Sequence, residues 1–190
     1  MPQVHIRKAE LTDVEAVTEL VNRAYRPEAG SEGWTHESAL VSGDRIDQDK
    51  VATAIQSSTV LVGNNERGLV GCVQVEVTDR VAHIGMLAVD PSLQTSGIGK
   101  LLLANAEELA VQKFNAQVGV LVVIAARTEL VEFYLRRGYS KTDEWSQYPT
   151  DAGVGTPEKE AVLLTTLRKC FNNRLHGDRF SAASQLQTGA

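Results

Sequence analysis

The stretch Gln94-Thr95-Ser96-Gly97-Ile98-Gly99-Lys100 sets two glycines, two hydroxyls and a lysine directly before a long apolar helical pattern. Glycine lets a backbone approach a ligand closely and adopt conformations that a side chain disfavours. The first amides of a helix lack intrahelical acceptors, and their dipoles point into the preceding loop. An anion there meets several N–H groups at once, with Lys100 adding positive charge and Thr95 and Ser96 offering hydroxyls. That is adequate chemistry for a pyrophosphate. The same residues also suit a glycine-containing helix cap that holds no ligand. Spacing excludes two common nucleotide grips. A triphosphate loop needs glycine at 94 and Ser or Thr at 101, where the chain has Gln94 and Leu101. A dinucleotide fingerprint starting at Gly97 needs glycine at 102, which is Leu102.

The remaining chemistry-bearing residues are sparse. Cys72 and Cys170 are the two cysteines, too few for a disulfide framework, and four scattered histidines complete no metal spacing. Cys72 sits in an apolar strand pattern and reads as core filler. Formal net charge is -5 with both signs interspersed, which gives no electrostatic case for nucleic acid. No apolar run approaches the roughly 20 residues of a bilayer crossing, and residues 1–13 are too polar for a secretory leader. A reducing cytoplasm is the expected setting.

The elements that must position the loop follow from periodicity. VHIR at 4–7 reads as a first strand, and Thr12 with Glu15 matches a capping box for a helix buried through Val14, Val17, Leu20 and Val21. That helix fades at Pro27. Thr35 and Asp47 are expected to cap short helices over 36–42 and 48–56. Strands follow at 58–62, 69–77 and 81–89, joined by turns at Asn64–Gly68 and Asp79–Arg80. Ile98 to Phe114 is the best helix, with Leu101, Leu102 and Leu109 on its apolar face. VGVLVVIAA at 118–126 reads as a strand covered on both sides. Thr128 is expected to cap a helix over 129–136, stopped by Gly138. A polar strand at 139–148, a loop at 149–158 and a last strand at 161–167 complete one mixed α/β domain over 1–170. Residues 171–190 read as a flexible C-terminal tail, with Phe171 or Leu175 docking locally.

Gln94-x-x-Gly97-x-Gly99, placed after Leu87-Ala88-Val89-Asp90-Pro91 and before an apolar helix, closely resembles the acetyl-coenzyme A signature of the GNAT acetyltransferase superfamily. Arg127 to Tyr139, with Phe133-Tyr134 and Gly138 inside it, resembles that family's second signature. The element order agrees over roughly residues 3–168. The resemblance implies a mixed, mostly antiparallel central sheet flanked by helices, with the strand at 84–89 splaying from the strand at 118–125. It implies that acetyl-CoA is the acyl donor, its pantetheine arm lying against Leu87, Ala88 and Val89. The pyrophosphate would lie on Gln94, Thr95, Ser96, Gly97, Ile98, Gly99 and Lys100, and Tyr134 near the thioester sulfur. The family often has asparagine seven residues before that tyrosine, where this chain has Arg127. The arginine is left to pair with a phosphate, with a local carboxylate or with solvent.

Acetyl transfer to an amine requires a proton acceptor, a donor for the charge on the carbonyl oxygen and a route for discharging the thiolate. The backbone amide near Leu87 suits the second task and Tyr134 the third. Tyr134 equally suits half-buried packing beside Phe133. Glu76 and His83 are the candidate bases, each also readable as an ordinary polar residue near a hairpin end. Trp34, His36, Glu37, Trp145 and Tyr148 are candidates for an acceptor-side wall, with Glu32 and Glu37 suited to a cationic amine. The expected partner is therefore an amine-bearing small molecule or peptide, and a homodimer is a family-level expectation. Two rival readings stand beside the enzyme: a catalytically weak acyl-coenzyme A binding or regulatory module, and an interaction module in which the loop is only a cap.

Overall fold

The computed structural model describes residues 3–27, 36–158 and 162–171. Strand β1 (His5–Lys8) leads through a 3-10 turn at Leu11–Asp13 into helix α1 (Val14–Tyr25). The expected capping box at Thr12 and Glu15 moves earlier. Asp13 instead accepts from the Glu10 N–H at 2.8 Å and from both terminal nitrogens of Arg7 at 2.7 Å. A bidentate arginine outcompetes the hydroxyl box because it neutralises the carboxylate while the backbone still uses it. The expected helix over 36–42 is absent. Strand β2 (Val41–Ser42) stands there instead, paired with β8 (Thr156–Pro157), and Thr35 lies outside the described residues.

Helix α2 (Gln48–Ser57) is capped as expected, Asp47 accepting from the Lys50 amide at 2.8 Å. Strands β3 (Thr59–Asn65), β4 (Gly68–Thr78) and β5 (Val81–Val89) form a meander. Its second turn uses Asp79 and Arg80 at φ 50° and 63°, the left-handed pair that matches strand twist. Helix α3 (Ile98–Phe114), strand β6 (Val118–Ile124), helix α4 (Thr128–Leu135), strand β7 (Ser140–Gln147) and strand β9 (Leu163–Cys170) complete the chain. Thr128 is the first residue of α4 and not its cap; that place belongs to Arg127. Phe171 docks, its amide donating to the Gln117 carbonyl at 2.7 Å, while Leu175 and the rest of 172–190 lie outside the described residues.

Among the described residues one seven-stranded sheet runs β1-β3-β4-β5-β6-β9-β7. Helices α1 and α2 pack on one face with Val60, Val62, Cys72, Met86 and Ala88. Helix α3 covers the other with Leu61, Val73, Val75, Ile84 and Leu121, joined by Val131 and Tyr134 of α4. Helix α3 buries Ile98, Leu102, Leu103, Ala106 and Ala110, whereas Leu101 and Phe114 of the expected face are partly exposed. Small residues bring the helix close. A Cβ on Gly71 would lie 2.6 Å from Leu102 Cδ1 and 3.1 Å from the Ala88 carbonyl oxygen.

The only parallel pair among these strands is β5 with β6, and it lasts for Val81–His83 against Val118–Val120. Beyond that point β5 stays with β4, while β6 stays with β9 as far as Ile124 opposite Leu164. The two strands therefore open into a V. Gly71 carries the seat of α3 beside this opening. Gly71→Val is expected to destabilise the fold by about 1–3 kcal/mol through overpacking, read as an earlier urea transition. An unchanged transition would contradict this account of the helix–sheet approach.

Candidate active site

A cleft of ≈ 540 Å³ runs from the open V to the start of α3. Leu87 and Val89 of β5 form one wall, and Leu130, Phe133, Arg136 and Arg137 of the α4 region form the opposite one. Leu93, Gln94, Thr95, Gly97, Gly99 and Lys100 make its end.

Each loop residue has an identifiable task. Asp90 stops β5 by accepting from the Ser92 amide at 3.0 Å, and Arg23 of α1 anchors the same carboxylate at 2.8 Å. Gln94 turns its side chain back to donate to the Val89 carbonyl at 3.3 Å, which closes the loop against the strand it left. Thr95 is left-handed at φ 71°, and Gly97 caps α3 at φ 91°. Nothing stands within 4 Å of the position a Gly97 Cβ would take. Leu101 is the first residue of α3 to donate back into the turn, to the Gly97 carbonyl at 3.0 Å, so the Ile98, Gly99 and Lys100 amides have no acceptor within the helix. Ser96 does not offer its hydroxyl outward, because that group donates to the Leu93 carbonyl. Ile98 is buried in the core and does not line the cleft.

The α4 wall supplies charge that the loop lacks. The guanidinium carbon of Arg137 lies over the Phe133 ring, 3.3 Å from its centroid, and the side chain donates to the Phe133 carbonyl. Burial and then the neighbouring Arg136 charge pull its guanidinium below the usual arginine value. Glu129 and Glu132 line the same wall, and Glu132 lies 3.5 Å from Arg136. Sequence reasoning did not single out Arg136 and Arg137, which line the cleft. Their signal was present, since Leu130, Phe133 and Arg137 recur at three- and four-residue spacing and so share one helix face.

The family model for the Acetyltransferase (GNAT) domain matches residues 27–148. The chain belongs to the GNAT acetyltransferases. No curated protein matches the sequence. The fold is similar to that of PaiA N-acetyltransferase from Thermoplasma acidophilum in complex with coenzyme A. That match has 19% identity and a TM-score of 0.64, over 89% of this chain and 99% of that one. It is also similar to the ribosomal-protein-S18-alanine N-acetyltransferase from Escherichia coli, at 16% identity and TM-score 0.65, over 92% and 100% of the two chains. YncA from Salmonella typhimurium, described with its cofactor acetyl-CoA, matches at 20% identity and TM-score 0.64, over 90% and 95%.

The other candidate residues of this GNAT domain do not line the cleft. Ala88 is buried toward α1 and α2. Tyr134 is 4% exposed, with its ring edge-on to Phe133 and Tyr139 at 5.2 and 5.9 Å. Burial raises its phenol well above the ordinary tyrosine value, so it stays protonated. His83 and Glu76 are exposed cross-strand partners on β5 and β4. His83 is also the last residue of β5 paired to β6, opposite Val120 at the vertex. Arg127 is 4% exposed, 2.7 Å from Glu129 and 4.0 Å from Glu37, and does not line the cleft.

Glu37 is itself buried, with Arg26 at 2.7 Å. It therefore joins α1 to the β6–α4 turn and is not a solvent-facing carboxylate. Tyr148 is buried beside it, donating to the Val154 carbonyl at 2.6 Å, while Trp145 is 58% exposed on β7 and His36 is exposed. Trp34 and Glu32 lie outside the described residues.

Gly97→Ala puts a methyl group into the space above the helix start and strains a left-handed residue by about 1–2 kcal/mol. The expected result is at least a tenfold weaker acetyl-CoA affinity, about 1.4 kcal/mol or more, by titration calorimetry with the fold retained. Wild-type affinity would mean that no phosphate uses this turn.

Proposed function

We propose that the protein transfers the acetyl group of acetyl-CoA to a primary amine of a small molecule or peptide by direct attack. The observation that carries this reading is one continuous cleft joining the open amides before α3 to the edge that β5 exposes in the V. The residues present fit the coenzyme. Open space over Gly97, the amides of α3, and Lys100, Arg136 and Arg137 suit its phosphates. The apolar walls Leu87, Val89 and Leu130 suit its arm. Bound acetyl-CoA supplies an activated thioester.

The chain's own groups then divide the work. The Leu87 amide receives the charge that builds on the thioester oxygen, a contribution of about 3 kcal/mol in comparable sites. His83 at the vertex of the V takes the amine proton, directly or through water, with Glu76 as its cross-strand neighbour. Tyr134 hydrogen-bonds the departing sulfur. Burial raises the pKa of its phenol and makes outright proton loss uphill, so hydrogen-bonding the thiolate is its main effect. Spermidine and a ribosomal-protein alanine are acceptors named for structurally similar proteins, and both are amines.

Thiol release from acetyl-CoA across a panel of amines tests the reading, and release with none of them would overturn it in favour of a coenzyme-binding module. With an active amine in hand, Tyr134→Phe is expected to lower kcat about tenfold or more while the KM for acetyl-CoA barely moves. Equal kcat values would remove Tyr134 from the chemistry. His83→Gln is expected to lower kcat about tenfold or more while the KM for acetyl-CoA barely moves, and an unchanged kcat would assign the base elsewhere.

A further inference from the structure

Strand β5 contains a bulge where it pairs with β4, and two side chains from other elements hold it. Gln74 pairs with Gly85 and Cys72 with Ala88, so Val73 alone faces Met86 and Leu87. Met86 takes φ 51°, a left-handed conformation that costs a non-glycine residue about 1–3 kcal/mol. Such a bulge frees carbonyls from the ladder, and here both freed carbonyls have donors. The Cys72 thiol lies 3.4 Å from the Met86 carbonyl oxygen. The Tyr25 hydroxyl, from the last turn of α1, lies 2.9 Å from the Leu87 carbonyl oxygen.

These contacts determine where the Leu87 amide points. A trans peptide holds its C=O and N–H in opposite directions. With the Met86 carbonyl held by Cys72 on β4, the Leu87 N–H is directed away from β4. In an extended residue the N–H and C=O leave the same edge of the strand. The Leu87 carbonyl is taken by Tyr25 and not by β4, which puts its N–H on the edge facing the V by a second, separate criterion. The Leu87 residue lines the cleft.

We propose that Tyr25 and Cys72 are positioning residues, a two-point clamp that aims the Leu87 N–H at the thioester oxygen and masks the neighbouring carbonyl. This rests on the acetyl-transfer reading above. Masking matters because an unprotected Leu87 carbonyl would repel the same developing negative charge that its amide attracts. Burial pushes both the Tyr25 phenol and the Cys72 thiol up to about 12, so each stays a neutral donor through the working pH range. The Arg45 guanidinium lies 5.5 Å from the Tyr25 ring centroid and helps hold the ring in place.

The test needs no acceptor. Acetyl-CoA labelled with ¹³C at the carbonyl is bound to the full chain, and its carbonyl stretch is followed by isotope-edited infrared spectroscopy, with affinity measured by calorimetry. The wild-type protein is expected to shift the band to lower frequency. Tyr25→Phe should lose more than half of that shift while acetyl-CoA affinity stays within about threefold, less than 1 kcal/mol. Cys72→Ala should lose part of it, and Cys72→Ser, which keeps a donor, should restore it. A full wild-type shift in both Tyr25→Phe and Cys72→Ala overturns the clamp and leaves acetyl transfer standing. If Tyr25→Phe does not fold, the Cys72 pair decides, and a full shift in Cys72→Ala overturns the clamp. A wild-type protein that binds acetyl-CoA without any shift removes the Leu87 reading and the clamp with it.

Discussion

Backbone hydrogen bonding normally keeps adjacent strands paired along their length, because a strand edge inside a protein leaves polar groups without partners. Here β5 and β6 share three residue pairs and then separate, each keeping its partner on the other side. That separation exposes a strand edge between two halves of the sheet, where an extended ligand arm can act as the missing strand. The cleft, the vertex occupied by His83 and the bulge at Met86 all take their positions from it. Remove the separation and the loop before α3 would face no channel at all.

The loop end of the cleft depends on a second constraint, the close approach of α3 to the sheet. Gly71, Ala106 and Ala110 leave almost no space between helix and strands, so the start of α3 comes to rest beside the end of β5. The loop must then turn sharply, which accounts for left-handed residues at both Thr95 and Gly97. Asp90 and Gln94 fasten the loop at its near end. Backbone amides fixed in this way need little reorganisation when an anion arrives.

Charge is distributed differently at the two ends of the cleft. Arg136 and Arg137 line the cleft together with Lys100, Glu129 and Glu132. Around the V, Arg26 and Arg127 are held by Glu37 in a buried network. Burying such a network is costly unless its members are paired. Its position between α1, the residues near 37 and the β6–α4 turn gives it the role of joining the two sides of the opening. Arginine at 127, where asparagine is common in the family, is the residue that makes this network reach α4.

Local sequence determined the parts of this protein whose chemistry is local. Gly97 and Gly99 before an apolar helix specify a tight turn into that helix, Asp47 specifies a cap, and Asp79–Arg80 between alternating runs specifies a hairpin. Their signals lie within a few residues, where backbone preference and periodicity act directly. Tertiary structure decided the rest. No short-range pattern could insert β9 between β6 and β7, because that pairing depends on edges formed by distant segments. The helix expected over 36–42 yielded to a two-residue strand for the same reason, since its partner lies at 156–157. The Tyr25 contact with Leu87 and the Glu37 contact with Arg127 join residues that are far apart along the chain, so only packing could bring them together. A side chain's type states what it can bond to, and the fold alone states what stands within reach.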